Sequence, residues 1–212
     1  MSKAQIISAA SLITGTLSSP SKMPCSSYSI PASRCITGSK LRNVEGSTCS
    51  SCYACKGQYR FSNVQAALET RFASLEHPEW VSAMTAQITA ANKNGFFRWH
   101  DSGDIQSVAH LRNIVLVALA TPDIKHWIPT REYKIVADYR KQYGAFPANL
   151  TVRLSAHMVD GAAPNMGLPT STVHSTPNTD SHVCPAPTQG NKCMDCRACW
   201  SGDVANVSYH IH

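Results

Sequence analysis

The feature that most constrains this chain is a cysteine spacing used twice. One stretch runs Cys49-Ser50-Ser51-Cys52-Tyr53-Ala54-Cys55, and a later one Cys193-Met194-Asp195-Cys196-Arg197-Ala198-Cys199. Each is C-x2-C-x2-C, and each has a remote companion upstream, Cys35 for the first and Cys184-Pro185 for the second. Three thiolates at such steps can wrap three corners of a [4Fe-4S] cluster while the fourth arrives from a separate segment. A tetrahedral zinc usually takes two separated pairs, so zinc is the alternative cofactor, with a disulfide or an unliganded state behind it. For the first set, three readings stay open. Cys35, Cys49, Cys52 and Cys55 hold a second cluster; Cys25 and Cys55 are small buried hydrophobes; or one cluster draws ligands from both ends of the chain.

Nine cysteines are an odd number, so a disulfide framework cannot use them all. With 212 residues, 43% of them hydrophobic, one α/β domain spanning 1–212 is expected. No apolar run approaches the roughly 20 residues of a membrane span. Met1 to Leu17 lacks the unbroken apolar stretch of a secretory signal. A reducing cytoplasm follows, where clustered thiols more often hold metal than each other. The net charge of +6 invites nucleic acid, yet the basic residues are scattered. Arg34, Lys40, Arg42, Lys56 and Arg60 do gather around the first cysteine set. A zinc-binding nucleic-acid or protein interaction module without catalysis is therefore the alternative function. Each [4Fe-4S] core of charge 2+ with four thiolates carries about -2, so two would bring +6 down to roughly +2.

Periodicity predicts a short strand at Ser27 to Ile30. A helical stretch from Asn63 to Asn92 follows, capped by Ser62 or Asn63 and broken at His77-Pro78-Glu79. Strands at Phe96 to His100, Ile124 to Ile128 and Leu150 to Ser155 alternate with helices at Val108 to Leu119 and Tyr133 to Tyr143. Met158 to Ser181, rich in Gly, Pro, Thr and Asn, reads as an ordered loop. The alternation predicts parallel βαβ units with working residues at the strand carboxyl ends. His100, Asp101 and Asp104 fall there, as do Thr130-Arg131-Glu132 and Arg153-Ser155-His157. Neighbouring strands would gather His100, Asp101, Asp104, Arg131 and Arg153 in one catalytic pocket, its arginines holding a carboxylate or phosphate of a small-molecule substrate. The competing reading is a rim of ion pairs. Trp80, Trp99, Trp127 and Trp200 are expected in the core or shielding a cluster. His210-Ile211-His212 could bind metal or simply face solvent. No phosphate loop, G-x-S-x-G elbow or H-E-x-x-H motif is present.

Cys52-Tyr53-Ala54-Cys55-Lys56-Gly57-Gln58-Tyr59 with Cys35 upstream, Arg98-Trp99-His100-Asp101-Ser102-Gly103-Asp104, and the closing Cys193 to Trp200 run resemble the phage gene product 88 family. The resemblance spans about Tyr28 to Tyr209 and implies a phage origin without a known activity. More distantly, strand, three-cysteine loop, helix and a second strand ending in a Gly-acid turn are similar to radical S-adenosylmethionine proteins. That similarity implies a partial (β/α) barrel resembling a truncated radical-SAM barrel. It also implies a redox or radical-type enzyme fed by an electron donor, with Ser102, Gly103 and Asp104 binding S-adenosylmethionine. The sequence departs from that pattern in two places: C-x2-C-x2-C replaces C-x3-C-x2-C, and the first glycine of the turn is Ser102.

Overall fold

The computed structural model describes residues 1–177 and 180–211. Seven strands form one all-parallel sheet in the order β1-β2-β3-β4-β5-β7-β6. They are β1 (Ser27–Tyr28), β2 (Phe96–Trp99), β3 (Lys125–Thr130), β4 (Leu150–Val159), β5 (Thr170–His174), β6 (His182–Val183) and β7 (Asn206–His210). The expected parallel α/β architecture is present, and the sheet is open rather than closed into a barrel. Among the described residues β6 pairs only with β7, which inserts between it and β5.

Helices α1 (Lys3–Thr14), α2 (Ile36–Leu41), α3 (Ser62–Ser74), α4 (Trp80–Ala91), α5 (Val108–Ala120) and α6 (Tyr133–Tyr143) complete the fold. The break between α3 and α4 falls where His77-Pro78 predicts it, although the residue before α3 is Phe61 and no side chain caps that helix. One sheet face packs on helices through Tyr28, Phe97, Trp99, Ile128, Val152 and Leu154, against Trp80, Met84, Leu111, Ile114 and Val136. The opposite face carries Trp127, which packs with Cys25 and Trp200. All four tryptophans are buried.

Three elements depart from expectation. Met158 to Ser181 is not a continuous loop, because β4 runs on to Val159 and β5 occupies Thr170–His174. Of that stretch, Asn178 and Thr179 lie outside the described residues, as does His212. β5 is built from hydroxyls instead of an apolar alternation. Ser171 Oγ donates to Ser155 Oγ at 3.0 Å and Thr172 Oγ1 to Ser208 Oγ at 3.1 Å, so polar side chains satisfy one another between parallel strands. α1 is started by a capping box, Ser2 Oγ accepting from Gln5 N while Gln5 Oε1 accepts from Ser2 N. β3 extends through Pro129 to Thr130.

Candidate metal centre

The first cysteine set sits at the carboxyl ends of β1 to β4. Cys35 immediately precedes α2, and Glu132, just past β3, fixes that helix start by accepting from Thr37 N at 2.8 Å and Thr37 Oγ1 at 2.7 Å. The Cys49 loop is tied to the end of β4 by Thr48 N, which donates to His157 O at 2.8 Å. Within it, Cys52 N donates to Cys49 O and Cys55 N to Cys52 O, both at 3.2 Å. This three-residue repeat brings successive side chains to one side of the turn.

Gly38 leaves room for two of these thiols. A Cβ there would stand 3.0 Å from Cys35 Cβ and 3.6 Å from Sγ of both Cys35 and Cys49. Cys35 and Cys49 lie within electrostatic reach of Cys52, and Cys55 is hydrogen bonded to it. Burial pushes the Cys35 thiol up, and the charges of Asp104 and Glu132 add to that; burial also raises Cys49, with Arg131 opposing. A metal would therefore have to displace protons from this set.

The second set forms on the face opposite the helices. Cys196 N donates to Cys193 O at 2.9 Å, repeating the first turn. Cys184 follows β6 and shares an electrostatic neighbourhood with Cys193, Cys196 and Cys199. Burial raises Cys199 to about 11, partly offset by the Tyr209 hydroxyl 3.0 Å from its sulfur. His182, which the sequence did not single out, places Nε2 3.5 Å from Cys196 Sγ. Among the described residues, no three His, Cys, Asp or Glu side chains are placed to hold a single metal ion. Thiols are the donors that an iron–sulfur cluster or zinc takes; each set offers four that share one field, with a Cβ-free position beside Cys35 and Cys49 in the first.

Residues 2–202 match the family described as gene product 88. The chain belongs to the gene product 88 family. No curated protein and no solved structure matches it. Membership agrees with the resemblance read from the cysteine and Arg98 to Asp104 segments, and with a phage origin.

In this family member the strand-end residues are largely occupied by the protein itself. Arg153, expected at a strand end, lies inside β4 because that strand runs on to Val159, and it is fully buried. Its guanidinium donates to four main-chain oxygens, Thr170 at 2.8 Å, Val204 at 3.0 Å, Ala198 at 3.1 Å and Ser201 at 2.9 Å. It therefore clamps the second cysteine segment onto β4. Asp104 accepts from Ile105 N (2.8 Å), Thr130 Oγ1 (2.6 Å) and Arg131 N (2.9 Å), joining the ends of β2 and β3. Burial lifts its carboxyl to about 6 against these hydrogen bonds. Arg131 Nε donates to Ala156 O at 3.3 Å.

Ser102 Oγ donates to Ile30 O at 2.9 Å. Gly103 has φ +76°, and a Cβ there would meet Ile30 Cγ1 at 2.3 Å and Ile30 O at 2.7 Å. Only glycine suits that turn. Asp101 accepts from Ser27 Oγ at 3.3 Å and from the Tyr59 hydroxyl at 3.0 Å, while the Tyr53 hydroxyl donates to its main-chain oxygen. His100 adopts φ 54° and is buried with neither ring nitrogen partnered, 5.4 Å from the His110 ring. The expected rim of ion pairs is not formed by these groups: the pairs among the described residues are Arg34–Glu69 and Lys134–Asp138.

Arg98, the first residue of the Arg98 to Asp104 segment, points to the sheet face that carries Trp127. Its guanidinium lies 4.5 Å over the Trp127 ring and donates to Met23 Sδ at 3.1 Å, with Nε buried and unpartnered. It lies within electrostatic reach of Cys25, Cys193 and Cys199. Of the basic residues near the first set, Lys40, Lys56 and Arg60 are exposed, and Arg42 donates to Ala32 O at 3.2 Å. His210 Nδ1 is 2.6 Å from Ile211 O. A separate cleft of about 450 Å³, lined by Asn92, Gly95, Thr121 and Ile124 among others, lies at the amino ends of β2 and β3, away from the thiols. Among the described residues, no helix is long and apolar enough to cross a membrane.

Proposed function

We propose that this chain is a phage iron–sulfur protein that holds [4Fe-4S] clusters on Cys184, Cys193, Cys196 and Cys199 and on Cys35, Cys49, Cys52 and Cys55. On this reading it is a redox or radical-type enzyme of the host cytoplasm, on a partial (β/α) barrel of radical-SAM type. The observation that carries the reading is that segments far apart in sequence bring each remote cysteine to its own C-x2-C-x2-C turn. A parallel sheet with helices on one face, and tryptophan, arginine and thiols on the other, supports a barrel-like scaffold. A bound cluster would supply one-electron transfer. The chain's own part is to exclude water with Trp127 and Trp200, and to set the guanidinium of Arg98 beside the second set as counter-charge. Asp104 acts on the field of Cys35 and Cys49, which puts the Ser102-Gly103-Asp104 turn beside the first set. S-adenosylmethionine would meet that turn chiefly through its main chain, because the Asp104 oxygens already accept hydrogen bonds.

Anaerobic purification with iron, acid-labile sulfide and zinc analysis tests the reading. Iron and sulfide in matching amounts, with an EPR signal on reduction that S-adenosylmethionine perturbs, are expected. A colourless zinc protein without sulfide refutes the cluster, and an unperturbed signal refutes the radical-SAM activity alone. One contact favours the second reading, a zinc-stapled interaction module: His182 beside Cys196 offers a nitrogen ligand of the kind zinc commonly takes.

A further inference from the structure

We propose that His174 and His210 form a further metal site, for a borderline divalent cation such as zinc, at the carboxyl ends of β5 and β7. The site takes no ligand from either thiol set and stands independently of them. Parallel pairing puts the two histidines directly opposite each other in the register of β5 and β7. Side chains along a strand alternate between sheet faces, so both imidazoles lie on the face away from Tyr209, whose hydroxyl touches Cys199. Their ring centres are 5.7 Å apart and the rings stand nearly perpendicular, at 89°. Zinc held tetrahedrally by two imidazoles, about 2.0–2.1 Å from each nitrogen, sets the ring centres about 5.2 Å apart. A closure of about half an ångström meets that geometry.

The ring nitrogens are prepared for ligation. His210 Nδ1 lies 2.6 Å from Ile211 O. A carbonyl only accepts, so Nδ1 carries the proton and Nε2 keeps its lone pair. His174 Nδ1 lies 2.6 Å from Ser208 Oγ, which also accepts from Thr172 Oγ1 at 3.1 Å. A hydroxyl oxygen has two lone pairs, so Ser208 Oγ accepts from both when ligation at Nε2 holds the His174 proton on Nδ1. A ligating imidazole is usually oriented in this way, through the hydrogen bond of its other nitrogen. Nε2 of neither ring has a hydrogen-bond partner among the described residues. His174 is buried and His210 exposed, so the pair opens to solvent on one side, where water or a ligand oxygen completes the coordination. Negative charge stands beside it: Asp160, just past β4, lies within electrostatic reach of His174. Its carboxylate is held by Ser175, which donates from N at 2.8 Å and from Oγ at 2.7 Å.

Zinc titrated into the full chain after anaerobic purification, with its thiol sets already saturated, tests the site by nitrogen NMR of the imidazoles. Nε2 of His174 and Nε2 of His210 should shift together over a single added equivalent, while the remaining histidines stay in place. His210→Gln changes an exposed position and should abolish that equivalent in calorimetry, with the fold retained by circular dichroism. His174→Gln should do the same; if that buried change unfolds the chain, H210Q decides alone. Nε2 resonances of His174 and His210 that do not move under excess zinc overturn the proposal. So does a folded H210Q chain that binds the equivalent as wild type does. The readout sits on two imidazole nitrogens, so thiols that hold no metal refute the iron–sulfur reading and leave this site to be judged by its own signals.

Discussion

Arg153→Met tests whether the buried arginine clamps the second cysteine segment or works on a substrate. Methionine fills much of the side-chain volume but donates nothing, so four main-chain oxygens lose a charged donor. Ala198 O keeps Ser201 N as a partner at 3.2 Å, and Thr170, Val204 and Ser201 lose their bond to the guanidinium. An unsatisfied buried acceptor costs about 1–3 kcal/mol. Against three of these stands the relief of no longer burying a guanidinium, which leaves a net loss of about 3–5 kcal/mol. In a chain of this size that lowers the melting temperature by about 6–20 °C. Calorimetry on the metal-free chain measures the total, and amide exchange locates it: protection should fall first between Ala198 and Asn206. R153K should recover only part, since an ammonium cannot span two oxygen pairs as the planar fork does. A melting temperature within 2 °C of wild type (roughly 1 kcal/mol), with exchange unchanged over that segment, would refute the clamp.

Gly103→Ala forces a Cβ to 2.3 Å from Ile30 Cγ1 at φ +76°, so a loss of about 3 kcal/mol or more is expected in urea unfolding. Asp104→Asn turns one acceptor into a donor facing the Arg131 or the Ile105 and Thr130 donors, which should cost about 1–3 kcal/mol by the same assay. Stability of the metal-free chain should also fall in acid. Burial pushes His110 and His126 down to about 4, so between about pH 6.5 and 4 the unfolded chain binds protons that the folded chain refuses. Asp104, raised to about 6, works the other way below that pH, because its folded form takes the proton first. Burial also holds His100 well below its usual value, so three histidines against one carboxyl leave a net loss of about 3 kcal/mol or more between pH 7 and 4.5; equal stability at the two values would refute the burial argument.

The middle of the chain was legible because its apolar residues repeat with the period of the element they build. α5, α6 and the starts of β2, β3 and β4 lie within a residue or so of where periodicity puts them. β5 was hidden because its inward groups are Ser171 and its neighbouring hydroxyls, which carry no hydrophobic alternation. α1 was signalled only by Ser2 and Gln5, since serines and threonines dilute its apolar stripe. The cysteine sets were visible as spacing. The nearness of His182 to Cys196 was not, because it depends on β6 lying beside β7. Sequence placed Asp104 past the end of β2, where it lies, but put Arg153 at a strand end when it sits inside β4, because the strand runs on to Val159. An arginine in an apolar strand reads the same whether it meets a substrate carboxylate or four carbonyls of its own chain.

The insertion of β7 between β5 and β6 also distinguishes the two thiol sets. Every cysteine of the second set precedes Asn206–His210 in the chain, yet β6, which leads directly into Cys184, has β7 as its sole strand neighbour among the described residues. The Tyr209 hydroxyl that touches Cys199 arrives with the same strand. The first thiol set therefore takes its surroundings from segments up to β4, whereas those of the second are complete only once the strand after it has paired with β5 and β6.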